Sequence, residues 1–105
     1  MQFECLELTD NEVTVIVQGD MDALGCKGIQ PLIDDVITMK DQNTVVVDMA
    51  QVGFLDSSGI GAIVYLYKRL RERDREMALK NVQGQPLELM QLLRISNAIP
   101  VNPSH

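Results

Sequence analysis

The chain has 105 residues, room for one domain over residues 1–105 with one hydrophobic core. Its net charge of −6 and pI near 4.5 exclude a sequence-independent grip on nucleic acid or on an anionic membrane, because both need an excess of Lys and Arg. Apolar residues make up 46%, aromatics only 4%, and there is no Trp, so the expected core is aliphatic and Met-rich.

No apolar run approaches the roughly 18 residues of a membrane span. The start, Met1-Gln2-Phe3-Glu4-Cys5, lacks the basic and apolar regions of a signal peptide. Cys5 and Cys26 are the only cysteines, and free thiols in a reducing cytosol are expected rather than a disulfide. The location these features predict is cytoplasmic.

Residues Phe3 to Leu8 alternate weakly, as a strand would. Thr9-Asp10-Asn11-Glu12 reads as a polar turn, and Val13 to Gln18 as a β-branched strand, so the two strands form a predicted hairpin. Gly19-Asp20-Met21-Asp22 ends the second strand, and Asp22 suits a helix N-cap. Helical spacing begins at Ile29. Pro31 is tolerated only in a first turn, which places the helix at Gln30 to Met39, with Ala23 to Gly28 as a looser turn or short helix before it.

Val45-Val46-Val47 has no polar alternation, the pattern of a strand buried on both faces. After Asp56-Ser57-Ser58-Gly59, apolar residues fall at Ile60, Ile63, Val64, Tyr67 and Leu70, which predicts an amphipathic helix over Ser58–Arg73. The run from Lys68 to Glu76 holds five of the nine basic residues. It reads as a solvated helix end whose cations suit the dipole, with a docking contribution as the alternative. Met77 to Val82 is a predicted strand, Pro86 opens a third helix to Ile95, and Ile99-Pro100-Val101 suits a last edge strand. The order β-β-α-β-α-β-α-β predicts an α/β fold: a mixed, mostly parallel sheet of about five strands with three main helices on one side.

The only histidine is His105, the last residue, so Ser57 and Ser58 have no fixed base to make either a nucleophile. One His and two distant Cys do not make a zinc site. Gly59 and Gly61 are not followed by Lys-Ser or Lys-Thr, so there is no phosphate loop of that kind. No catalytic residue, metal site or cofactor is expected, and the chain is not expected to be an enzyme.

Asp56-Ser57-Ser58-Gly59 is most simply a helix cap, worth about 1 kcal/mol. Two hydroxyls and a carboxylate are more than one cap needs. A surplus serine at a helix N-terminus can carry a phosphate of about −1.5 to −2 charges, and the helix dipole tolerates it. The surface then gains a dianion beside Asp56, and Asp20 and Asp22 are candidates for the same region. A partner fitted to the neutral serine loses affinity.

Val52-Gly53-Phe54-Leu55-Asp56-Ser57-Ser58-Gly59-Ile60-Gly61, together with this order of elements, resembles the STAS family, named after sulfate transporters and anti-sigma factor antagonists. Gly19-Asp20-Met21-Asp22 is similar to the family's segment at the end of the second strand. The resemblance implies that Ser57 is the phosphorylated serine and Ser58 its neighbour and a candidate cap. It implies a partner-binding surface of Asp20, Asp22, Asp56, Ser58, Gly59 and Ile60. It also implies a partner switch. The unphosphorylated chain binds a GHKL-type serine kinase that doubles as the anti-sigma factor, phosphorylation of Ser57 releases it, and a PP2C-type phosphatase resets it. The ATP and metal belong to the kinase. The alternative within the family is a non-switching subunit that regulates a membrane transporter's ATPase. An acidic chain with an exposed edge strand is compatible with a monomer or a weak dimer.

Overall fold

The computed structural model describes the backbone of residues 2–8, 11–39 and 43–103. Side chains are described from 11 to 38 and from 43 to 103. The expected side-chain alternation of the first strand, the thiol of Cys5, the turn residues Thr9 and Asp10, and His105 lie outside the described residues.

Strands β1 (Gln2–Leu8) and β2 (Glu12–Gln18) pair antiparallel as the predicted hairpin. Helix α1 (Ile29–Met39) then carries the chain to β3 (Thr44–Gln51), which lies parallel to β2 with Val13 opposite Val45 and Val15 opposite Val47. Helix α2 (Ser57–Arg71) leads to β4 (Glu76–Lys80), parallel to β3. The sheet order is β1-β2-β3-β4. Each crossover moves one strand further in the same direction. Two right-handed crossovers of that kind place α1 and α2 on the same face.

That face is the core. Val13, Val15 and Val17 of β2, Val45, Val47 and Met49 of β3, and Met77 and Leu79 of β4 are all buried. Ile33 of α1 and Ile63 and Leu66 of α2 close over Val17, Val47 and Met77. Helix α3 (Gly84–Leu92) adds Met90 to the same buried cluster, and Val82 and Ile99 join it from the flanking segments. Val46 points to the opposite face and is still only 9% exposed, so the unbroken valine run is buried on both sides.

Among the described residues the sheet has four strands, where about five are predicted. Ile99 is drawn into the core, and Val101 makes only an isolated parallel bridge with Leu79. Leu79 N–H donates to Pro100 O and Asn102 N–H to Leu79 O, both at 2.8 Å. Pro100 has no N–H to extend a ladder, and Asn102 turns the chain at a φ of 49°.

β4 also stops earlier than predicted, because Asn81 takes a left-handed φ of 58°. Val82 is instead held by the Asn102 amide, which accepts from Val82 N and donates to Val82 O at 2.9 Å each. The predicted solvated run at the end of α2 is correct for Lys68, Arg71 and Arg73 but not for Arg75, which is 7% exposed and donates through Nη1 to Ile37 O at 2.9 Å. A cation there meets the electronegative C-terminal end of α1.

Candidate functional site

The loops after β2 and β3 leave the sheet at the same end and are tied together by backbone. Met21 N–H donates to Phe54 O at 2.9 Å, and Asp56 N–H donates to Met21 O at 3.2 Å. Met21 and Leu55 thus form a one-residue parallel bridge, and both side chains are buried. The bridge fixes where the chain turns into α2.

Asp56 is the N-cap of α2, with extended backbone at φ −121° and ψ −166°. Its Oδ1 accepts from Ser58 N at 2.8 Å and Gly59 N at 3.3 Å. Ser58, the candidate cap expected from sequence, is therefore a recipient of the cap and not its source. Ser57 occupies the first helical position and is exposed, while Ser58 is half-buried. With a carboxylate satisfying the orphan amides, the Ser57 hydroxyl is not needed by the cap. Asp56→Ala removes this cap and is expected to cost about 1 kcal/mol, whereas Asp56→Asn keeps an acceptor and most of the stability. Thermal unfolding followed by circular dichroism checks both.

Gly59 follows the cap, and its position is a packing requirement. A Cβ there would strike the Met21 carbonyl oxygen and Leu55 Cδ1, and would lie 2.7 Å from Met21 Cβ. The absence of a side chain lets the first turn of α2 rest directly on the Met21–Leu55 bridge.

The other predicted residues frame this helix start. Asp22 does not cap α1, which begins only at Ile29. Its Oδ1 accepts from Gly25 N at 2.7 Å and closes the turn over residues 23–28. Gly25 packs against the Asp20 carbonyl too closely for any Cβ. The Asp20 carboxylate reaches across to the β3–α2 loop, with Oδ1 3.8 Å from where a Gly53 Cβ would stand. Ile60 is half-buried in the first turn of α2. The structure therefore brings Asp20, Asp22, Asp56, Ser58, Gly59 and Ile60 to the strand end that also holds Ser57.

Three features were not singled out from sequence as part of the site. Cys26 is a free thiol whose pKa is pushed up by burial and by the Asp56 and Asp22 carboxylates, and it lines a small cleft together with Ser58 and Ala62 of α2. Leu24 and Phe54 are large apolar side chains left 82% and 42% exposed. Gln85, at the start of α3, bonds the backbone of Leu55. A single sequence carries no signal for contacts 30 residues apart, such as that one. Among the described residues, no group of His, Cys, Asp and Glu could hold a metal ion.

A mixed sheet with two crossovers, whose paired strand-end loops present one exposed serine at a helix N-terminus, defines a small α/β module of a specific kind. The chain belongs to the STAS domain family, whose sequence model matches residues 6–105. It is similar to the anti-sigma-B factor antagonist of Listeria monocytogenes, 24% identical over 101 residues that cover 96% of this chain and 88% of that one. Two solved structures share the fold. A putative anti-sigma factor antagonist from Thermotoga maritima has a TM-score of 0.81 at 14% identity, covering 98% of this chain and 86% of that one. The Bacillus cell fate determinant SpoIIAA, in its phosphorylated form, has a TM-score of 0.70 at 18% identity, covering 98% of this chain and 93% of that one.

Proposed function

We propose that this chain is a partner switch of the anti-sigma factor antagonist type. The unphosphorylated form binds a GHKL-type serine kinase that also serves as an anti-sigma factor, and so frees that kinase's other client. The kinase transfers the γ-phosphoryl group of ATP-Mg to Ser57 Oγ, which gives up its proton, and ADP leaves. The phosphorylated chain dissociates. A PP2C-type phosphatase hydrolyses the phosphoserine and restores the binding form. Nucleotide and metal belong to the partner enzymes.

One observation carries this function: Ser57 is exposed at the first position of α2 while Asp56 alone supplies the cap. A phosphate on Ser57 alters the surface without removing a bond the fold uses. It also stands beside the Asp56 carboxylate, whose Oδ1 already holds two amides of the first turn. The phosphate therefore points outward, toward a bound partner. The names of the similar proteins agree with this role, and one neighbour of the same fold is described in a phosphorylated form.

Leu24 and Phe54 follow β2 and β3 at the same strand end and supply the apolar part of the surface. Exposed aromatic and aliphatic anchors ringed by polar groups are where binding energy concentrates. Leu24→Ala is expected to weaken kinase binding by about fivefold, roughly 1 kcal/mol. Its melting temperature should stay within a few degrees of the parent, because the side chain buries little. Surface plasmon resonance against the kinase, with a thermal melt, measures both.

Calorimetric titration of the kinase with the chain, before and after phosphorylation, tests the switch. The expected result is binding that weakens at least about tenfold on phosphorylation. Equal affinity of the two forms, or co-purification with a transporter ATPase and no modification of Ser57 in cells, favours the non-switching alternative.

A further inference from the structure

Residues 54–56 form a one-residue strand with partners on both sides. On one side, Phe54 O accepts from Met21 N and Asp56 N–H donates to Met21 O. In extended backbone the N–H and C=O of the residue between them point the opposite way. There the partner is not a strand but a side chain. Leu55 N–H donates to Gln85 Oε1 at 2.8 Å, and Gln85 Nε2 donates to Leu55 O at 2.7 Å. The Gln85 amide reproduces the donor and acceptor of a neighbouring strand. Leu55 is fully buried, so these two backbone groups depend on protein partners.

We propose that Gln85 is the positioning residue of the phosphorylation site, and that it couples α3 to the presentation of Ser57. The Met21 contact alone leaves the segment hinged on one rail. The amide supplies the second rail, and the segment leads directly into the Asp56 cap and Ser57. α3 is itself anchored upstream, since the Asn102 amide holds Val82 three residues before Gln85. The chain of contacts therefore runs from the C-terminal segment through α3 to the acceptor serine. The side-chain amide supplies both donor and acceptor at neutral pH, where a carboxylate accepts but does not donate and an ammonium donates but does not accept.

This role rests on Ser57 being the phosphoacceptor, and the test separates the two claims. Gln85→Met keeps the volume and removes both hydrogen bonds, while Gln85→Glu keeps the acceptor for Leu55 N–H. Amide hydrogen exchange by NMR reads the clamp without any kinase, and steady-state phosphorylation by the GHKL-type kinase with ATP-Mg reads the positioning. In Gln85→Met, Leu55 N–H is expected to exchange at least about tenfold faster, while core amides of β2 and β3 keep their rates. The kcat for Ser57 phosphorylation is expected to fall about tenfold with KM changed less than about threefold, because placement of the hydroxyl is lost and the docking surface is kept. Gln85→Glu keeps one of the two bonds and sets a carboxylate oxygen against Leu55 O, so its Leu55 N–H is expected to exchange at a rate between those of the parent and Gln85→Met. Unchanged Leu55 exchange overturns the clamp. Faster exchange with an unchanged kcat overturns the positioning role. A parent protein that is not labelled on Ser57 overturns the switch, and with it the positioning role, while the exchange result still decides the clamp.

Discussion

Ser57→Ala is expected to bind the kinase as the unphosphorylated parent does and to accept no phosphate, whereas Ser57→Asp is expected to bind at least about tenfold more weakly. The asymmetry follows from the geometry of the cap. Ser57 is exposed and α2 is capped by Asp56, so removing the Ser57 hydroxyl costs the fold little. Alanine is also the best helix former, which suits a first-turn position. Aspartate instead places a second carboxylate next to Asp56, at the strand end that already carries Asp20 and Asp22. A like-charge contact at about 4 Å amounts to about 1 kcal/mol even in water and more in a desolvated interface. A tenfold loss of affinity is about 1.4 kcal/mol. Fluorescence anisotropy with labelled protein gives both dissociation constants in one experiment. Equal affinities for the Ser57→Ala and Ser57→Asp proteins would mean that charge at this position does not control the interface.

The largest stability effect is expected at Gly59. A methyl group there meets the Met21 backbone carbonyl, which cannot swing aside as the end of a side chain can. Either α2 lifts off the Met21–Leu55 bridge or the bridge opens, and both move the site. Gly59→Ala is expected to cost about 3 kcal/mol, at the upper end for overpacking. For a domain of this size that lowers the melting temperature by roughly 10–20 °C. Gly61 is the internal control: nothing lies within 4 Å of its virtual Cβ, and it is exposed on the same helix. Gly61→Ala is expected to stabilise by roughly 0.5–1 kcal/mol through helix propensity alone. Opposite signs from two chemically identical substitutions two residues apart are a sharp check on the packing, and differential scanning fluorimetry resolves them.

What was legible in the sequence was what local pattern controls. The β-branched run from Val13 and the uninterrupted Val45-Val46-Val47 encode β2 and β3, and the spacing from Ile60 to Leu70 encodes α2 to within two residues at its C-terminal end. Pro31 correctly confined α1, since it falls in the first turn of a helix that begins at Ile29. The segment before it was harder to read, because its turn is closed by the Asp22 side chain and by Gly25 against Asp20. The final strand was misread because the burial of Ile99 and the left-handed Asn102 outweigh the β propensity of Ile99 and Val101. Within the site, Asp56, Ser57 and Ser58 stood out as a cluster, but which of them caps the helix depends on backbone angles. Arg75 and Gln85 act through partners far along the chain, Ile37 and Leu55, and no periodicity marks such pairs.

The proposed switch rests on Ser57 as the group that would change state. The most direct measurement is peptide mapping by tandem mass spectrometry of the chain after incubation with the proposed GHKL-type kinase and ATP-Mg. One phosphoryl group per chain is expected, located on Ser57, with none on the Ser57→Ala protein. Phosphate located on Ser58, or full labelling of Ser57→Ala, would refute Ser57 as the switch.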